Sequence, residues 1–124
     1  MKLTNFNIYN YAQKLNSAFT EKTQYLPAKI NFFIQKNASV LTAAAEEIEE
    51  SRVSIIRHYG EMNEETGEIR VPDDKMPEAS KELDDLFKIE QDIHISMINI
   101  DSFGDSVELS IEQMNAIMFM VEGE

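Results

Sequence analysis

The stretch from Leu26 to Gly60 constrains the fold more than any other segment, because it reads as one uninterrupted helix. Its apolar residues recur every three or four positions and form a stripe that comprises Ile30, Phe33, Ile34, Val40, Leu41, Ala44, Ile48 and Ile55. Pro27 suits the first helical position, and Gly60 suits the left-handed residue that ends a helix. At 1.5 Å per residue the helix would be roughly 50 Å long, and this length exceeds the diameter of a compact domain of this size. The sequence therefore predicts that part of this helix projects or pairs with another chain.

Three shorter helices are predicted around the long one. Residues 4–19 place apolar side chains at helical spacing and offer Thr4 as the N-cap, and a proline opens a second helix over residues 77–91. Ser110 with Gln113 three residues later forms a capping box at the start of the last helix. The expected inner face of that helix comprises Ile111, Met114, Ile117, Met118 and Val121. Its clustered methionines either fill the core, which we expect, or form an adaptable binding surface.

Strands are confined to short segments. A turn at residues 65–67 precedes a strand at residues 68–71, and this segment is expected to form a hairpin or an edge strand. The alternation of residues 92–101 predicts a second strand, and residues 107–109 predict a third. With 124 residues, the chain is predicted to form a single domain over residues 1–124. Its predicted class is α+β and dominated by helix, with one long central helix, three shorter helices and a small antiparallel sheet or hairpin.

The chain is strongly acidic, with 23 acids against 11 bases and a formal charge of -12. Direct nucleic-acid binding is therefore not expected, because lysines and arginines drive contacts with phosphates. Cysteine is absent, which excludes disulfides, zinc–thiolate sites and thiol nucleophiles. The sequence has no run of 18 apolar residues and no apolar core near its N-terminus, so we expect neither a membrane span nor a secretory signal.

No catalytic or cofactor-binding pattern is present in the sequence. The two histidines, His58 and His94, lack the spacing of a metal-binding pair, and no serine lies in a GxSxG turn. The four glycines are isolated, unlike those of a phosphate-binding loop. The glutamates between residues 61 and 68 do not follow the spacing of a calcium loop. We therefore expect no enzymatic activity, no metal and no cofactor.

Polar residues within or beside the long apolar stripe are the candidates for partner recognition. Asn37 and Arg52 hold such positions, and a polar residue in a helical seam can fix the register and number of paired helices. Arg52 also requires an acidic partner, which is Glu49 or an acid of another segment. The polar face adds five candidate charges, namely Lys29, Lys36, Glu46, Glu47 and Glu50. An antiparallel second copy would bring these lysines to these glutamates, although the same pattern also fits an ordinary solvated face.

Several groups of residues carry a resemblance to a known family. They lie along the long helix and in the segment that follows Glu82, and comprise Leu26, Pro27, Lys29, Ile30, Phe32, Ile34, Lys36, Asn37, Ile48, Glu49, Arg52, Tyr59, Gly60, Glu61, Glu82, Leu83, Ile89, Glu90 and Gln91. In these residues the chain resembles small proteins encoded by tailed phages and prophages of Gram-positive bacteria, a family of unknown function. The resemblance covers most of the chain. It implies a phage setting, in the host cytoplasm or the virion, and a small accessory role, but it transfers no site residue.

Two functions from different classes fit these features. The first is a non-enzymatic phage accessory protein, such as a virion assembly component, which acts through protein–protein contacts and self-associates as a homo-oligomer through the long helix. The second is an acidic inhibitor of a host nucleic-acid-binding or defence protein, which presents carboxylates in place of phosphates. In both cases the expected partner is a protein, either a second copy or a protein of the host or phage.

Overall fold

In this computed structural model, which describes residues 1–20, 24–104 and 107–123, the chain folds around one long helix. The described residues form four α-helices: α1 (Asn5–Ala18), α2 (Ala28–Tyr59), α3 (Met76–Lys88) and α4 (Ile111–Ile117). The strands are short: β1 (Lys2–Thr4), β2 (Glu61–Met62), β3 (Ile69–Arg70), β4 (Glu90–Asp92), β5 (Ile98–Asn99) and β6 (Val121–Glu122). Two 3-10 helices cover Ile100–Phe103 and Met118–Met120. The predicted class, α+β and dominated by helix around one long helix, is confirmed.

In the part of the chain that the structure describes, the strands form three separate pairs. β1 pairs antiparallel with β4, and β2 pairs antiparallel with β3 as the predicted hairpin. The third pair, β5 with β6, is parallel and was not predicted. It joins the segment after β4 to the end of the described chain, because α4 and the 3-10 turn after it carry the chain back alongside Ile98.

The main core lies between α1, α2, α4 and the segment that leads into β5. Its largest fully buried side chains are Ile8, Leu15, Ile30, Asn37, Leu41, Ile98, Ile117 and Met120. Most of the predicted apolar stripe of α2 is therefore part of the core, with Ile30, Ile34, Leu41, Ala44 and Ile48 buried, whereas Ile55 lies beyond it. Segments of the same chain therefore cover the buried part of the stripe.

The C-terminal part of α2 extends beyond the main core. No residue of the helix after Ile48 is fully buried, and α3 together with the β2–β3 hairpin packs against this part. The helix ends at Gly60, but the prediction of a left-handed residue there is wrong, since its φ of -91° and ψ of 164° are extended. The glycine is needed for space instead: a Cβ would collide with the side chain of Ile69 and lie 2.6 Å from the Ile56 carbonyl oxygen.

Local capping signals at two helices are confirmed. The Thr4 side chain accepts a hydrogen bond from the Asn7 N–H at 3.1 Å, which starts α1 at the next residue. At α4, Ser110 and Gln113 form the reciprocal capping box. These signals depend on neighbours within one turn, and the sequence therefore contains all the information that they need.

The predicted inner face of α4 is correct for Ile117, which is buried, and for Val121, which packs against the core, but it is wrong for Ile111, Met114 and Met118. The residues that point inward are Gln113, Ala116, Ile117 and Met120, whereas Ile111, Met114 and Met118 are exposed. The helix is rotated in this way because the Gln113 amide binds inside the fold: it donates to the Ala18 carbonyl oxygen at 2.9 Å and to Gln24 Oε1 at 2.7 Å. Gln24 returns a hydrogen bond to Gln113 Oε1 at 3.0 Å.

The strand predicted over residues 92–101 is mostly absent. Its alternation is real, because Ile93 and Ile95 are buried while His94 between them is exposed, yet residues 93–97 join no sheet. The strand predicted at 107–109 is also wrong, since those residues have no regular structure and β6 pairs with β5 in their place. Part of the loop predicted between the first two helices, residues 21–23, and Asp105 of the predicted turn after the strand lie outside the described residues.

Candidate functional site

Asn37 lies inside the chain and not on its surface. The residue is fully buried, and its amide donates to the Ser96 carbonyl oxygen at 2.9 Å and accepts from the Ser96 N–H at 2.8 Å. The same nitrogen also lies 3.3 Å from the sulfur of Met120. The interaction position suggested by the sequence is thus occupied by contacts within the chain, and we remove Asn37 from the candidates for partner binding.

Arg52 and Glu49 form the ion pair that the sequence suggested. Arg52 Nε donates to Glu49 Oε2 at 2.8 Å and Nη2 contacts Glu49 Oε1, one turn apart on α2. These hydrogen bonds hold the pKa of Glu49 below its usual value, and they raise the pKa of Arg52. The Tyr9 hydroxyl donates to Glu49 Oε2 at 3.4 Å, which ties the pair to α1. Arg52 therefore supports the contact between the two helices.

The five charged candidates on the polar face of α2 are exposed: Lys29, Lys36, Glu46, Glu47 and Glu50. Among the residues that the structure describes, none of the five forms an ion pair within the chain. Lys29 Nζ lies 5.9 Å from the centre of the Phe33 ring, within the range of a cation–π contact. These residues remain free to meet a partner, with the lysines at one end of α2 and the glutamates further along it.

Most carboxylates lie in one continuous segment of the chain. Before Glu46 the only acid in the sequence is Glu21, whereas residues 46–92 carry sixteen acids against six bases. This segment forms the second half of α2, the β2–β3 hairpin, α3 and β4. Every acid in it is exposed except Glu49, which is half-buried. We call residues 46–92 the acidic end.

An apolar surface stands out on the side of α4 that faces away from the core. Ile111 is 82 % exposed, Met118 is 62 % exposed and Met114 is 39 % exposed. Their spacing of three and four residues places them on one side of α4 and of the 3-10 turn that continues it. We call these three residues the methionine face.

A groove of about 1030 Å³ continues this apolar surface along α1 toward α2. Ile111, Ala12 and Ala45 are the aliphatic residues of its described lining, and most of the other lining side chains are polar. Its charged lining residues are Lys14, Glu46, Glu49 and Glu112. The groove therefore connects the methionine face with the beginning of the acidic end.

The sequence prediction assigned all three residues of the methionine face to the core. The seven-residue α4 spans about two turns, and apolar residues occupy both of its sides, so periodicity alone does not choose the inner one. The available signal was Gln113, because its capping role fixes where the helix starts and places its side chain next to the preceding loop. Of the clustered methionines, Met120 fills the core as expected, whereas the other two do not.

Comparisons with known proteins give no match: no family model, no curated protein and no solved structure is similar to this chain. In the described parts of the chain, no group of three or more His, Asp or Glu side chains could hold a metal ion. Within the same residues, none of the helices combines the length and the apolar character that crossing a membrane requires.

Proposed function

We propose that this protein is a non-enzymatic phage accessory protein that acts through contacts with another protein. The observation that carries the proposal is the methionine face. Covering large apolar side chains as exposed as Ile111 and Met118 with a partner lowers the free energy of the system. Methionine side chains are flexible and polarisable, and they adapt to partners of different shape. The groove beside this face enlarges the area that a partner can cover.

The proposed partner is a different protein and not a second copy docked on the stripe of α2. That stripe lies within the core of one chain, so exposing it would require α1 to detach. The phage setting, with a place in the host cytoplasm or the virion, is supported by the sequence resemblance described above. The exposed charges of α2 would then lie beside the bound partner and contribute to specificity.

Site-specific photo-crosslinking tests the proposal in phage-infected host cells that produce the protein. A photoreactive amino acid replaces Met118 in one variant and Met62 in a control variant, because the two residues are equally exposed, at 62 % and 63 %, but belong to different surfaces. We expect one defined protein to be crosslinked from position 118 and not from position 62. Equal crosslinking from both positions, or none from position 118, would contradict the proposal.

The acidic inhibitor of a host nucleic-acid-binding or defence protein is the second candidate. The concentration of exposed carboxylates at the acidic end supports it, because imitation of nucleic acid requires many negative charges on one surface. A competition assay tests this candidate: partners captured from host lysate are challenged with double-stranded DNA. Release of the partner by DNA, and loss of capture when Glu78, Glu82 and Asp85 become glutamine or asparagine, would favour the inhibitor. Capture that DNA leaves unchanged would exclude it.

A further inference from the structure

We infer that the methionine face and the adjoining groove bind an amphipathic helix whose polar side carries lysine or arginine. This inference rests on the proposed function, and it specifies the chemistry of the partner segment. Two independent properties of the surface support it, namely the spacing of the exposed apolar residues and the sign of the charge around them.

The apolar residues are arranged to meet a helix. Ile111, Met114 and Met118 follow one another at intervals of three and four residues, which makes a continuous ridge on one side of a helical segment. Such a ridge packs into the row of apolar side chains along one face of a second helix. The adjoining groove is lined by the small side chains of Ala12, Ser17 and Ala45, which leave room for the backbone of a partner.

The charge around this surface is predominantly negative. Glu112 lies on α4 next to Ile111, and Glu46 lines the α2 side of the groove, where the neighbouring Glu49 is already paired with Arg52. Lys14 is the one base among the groove-lining residues. A helix that places its apolar side on the methionine face would direct its polar side toward these carboxylates, where lysine or arginine is favoured and acidic residues are repelled.

A second copy of this chain fits the surface less well than a basic helix. Each copy carries a formal charge of -12, and a symmetric contact would bring Glu112 and the groove glutamates of both copies together. Like charges across an interface oppose association, and they do so most strongly at low salt. A partner with basic residues removes that repulsion and gains attraction from the same groups.

The inference is tested by titrating the whole protein, labelled at its methionine methyl groups, with a synthetic amphipathic peptide that has leucines on one side and lysines on the other. We expect the methyl NMR signals of Met114 and Met118 to shift, while that of Met62 stays in place because it lies on the hairpin. Met120 is fully buried, and its unchanged signal will show that the fold is intact.

Two matched peptides and two variants of the protein serve as controls. Replacement of the peptide's lysines by glutamate, or of its leucines by serine, should weaken binding at least about tenfold, because each change removes one of the two complementary properties. The double variant Met114→Gln and Met118→Gln should bind the lysine peptide more weakly by a similar factor, whereas Met62→Gln should bind it as the wild type does. Both altered residues are exposed, so the variant keeps its core.

Three outcomes would overturn the inference: equal binding of the glutamate peptide, shifts at Met62 in place of Met114 and Met118, or a concentration-dependent dimer that covers the methionine face. The crosslinking experiment separates this failure from failure of the proposed function. If position 118 crosslinks a defined protein through a segment without basic residues, the function stands and the basic helix does not. If position 118 crosslinks nothing, the proposed function itself fails.

Discussion

The side-chain amide of Asn37 forms two hydrogen bonds with the backbone of Ser96: Asn37 Nδ2 donates to the Ser96 carbonyl oxygen at 2.9 Å, and the Ser96 N–H donates to Asn37 Oδ1 at 2.8 Å. The amide therefore makes the two hydrogen bonds that a neighbouring strand would supply to this residue. This explains why the segment around Ser96 runs beside α2 without joining a sheet. A residue that the sequence offered as a contact between chains instead fixes a segment of its own chain.

Replacement of Asn37 by leucine should lower the melting temperature and leave the oligomeric state unchanged. The substitution removes both partners of the Ser96 peptide groups, and a buried polar group without a partner costs about 1–3 kcal/mol. A register-setting asparagine between chains would give the opposite result, with a higher melting temperature and a broader range of oligomers. Thermal unfolding and light scattering together distinguish the two. Asn31→Ala, at an exposed position of the same helix, is the control and should change stability by less than about 0.5 kcal/mol.

Leu41→Ala should destabilise the protein by about 2–5 kcal/mol. The side chain is fully buried in the middle of the α2 stripe, and its truncation leaves a cavity between helices. Such a loss is a large share of the stability of a domain of this size. Urea unfolding measures it, and Glu47→Ala on the exposed side of α2 should stay within about 0.5 kcal/mol. Similar values for the two variants would refute the burial of this stripe.

Gly60→Ala should loosen the β2–β3 hairpin. The added methyl group would collide with Ile69 and with the Ile56 carbonyl oxygen, and overpacking of this kind costs about 1–3 kcal/mol. Amide hydrogen exchange should accelerate in the hairpin and stay unchanged in α1, because the hairpin can move away without unfolding the core.

Gly67→Ala is the matched comparison within the same hairpin. This glycine has a φ of 74°, and no atom lies within 4 Å of the position that its Cβ would take. Its substitution introduces only the backbone strain of a left-handed residue, about 1–2 kcal/mol, without a steric collision. The hairpin should therefore stay packed against α2 in the Gly67→Ala variant. If hydrogen exchange in the hairpin is also unchanged in the Gly60→Ala variant, that result would argue against the close contact at Gly60.

Glu49→Gln should reduce the loss of stability in acid. The Arg52 hydrogen bonds lower the folded-state pKa of Glu49, so its carboxylate stabilises the fold above the pKa of the unfolded chain and loses this effect as pH falls through the lowered folded pKa. Both side chains are about 36–37 % exposed, which limits the contribution to about 1 kcal/mol. Urea unfolding between pH 7 and pH 3 measures the slope of the free energy of unfolding against pH. Glu47→Gln should follow the wild type, and an unchanged slope in Glu49→Gln would contradict the role of the pair.

Several features that depend on residues close together in sequence were predicted correctly, although the left-handed residue at Gly60 and the strand at residues 107–109 were not. The sequence by itself determined the long helix α2, the Thr4 cap of α1, the capping box of α4 and the hairpin after Gly60, because each arises from periodicity or from hydrogen bonds within a few residues. The ion pair of Arg52 with Glu49 belongs to the same group, since one turn of helix separates the two residues.

Only the tertiary structure decided which apolar residues are covered and where the polar core residues find partners. Asn37 reaches Ser96 across 59 positions, and Gln113 reaches Ala18 across 95, so no local pattern specifies either contact. The Gln113 contact turns α4 so that Ile117 is buried and Met118 is exposed. In a helix of two turns, rotation by one residue exchanges a buried face for an exposed one, and long-range hydrogen bonds determine which of the two results.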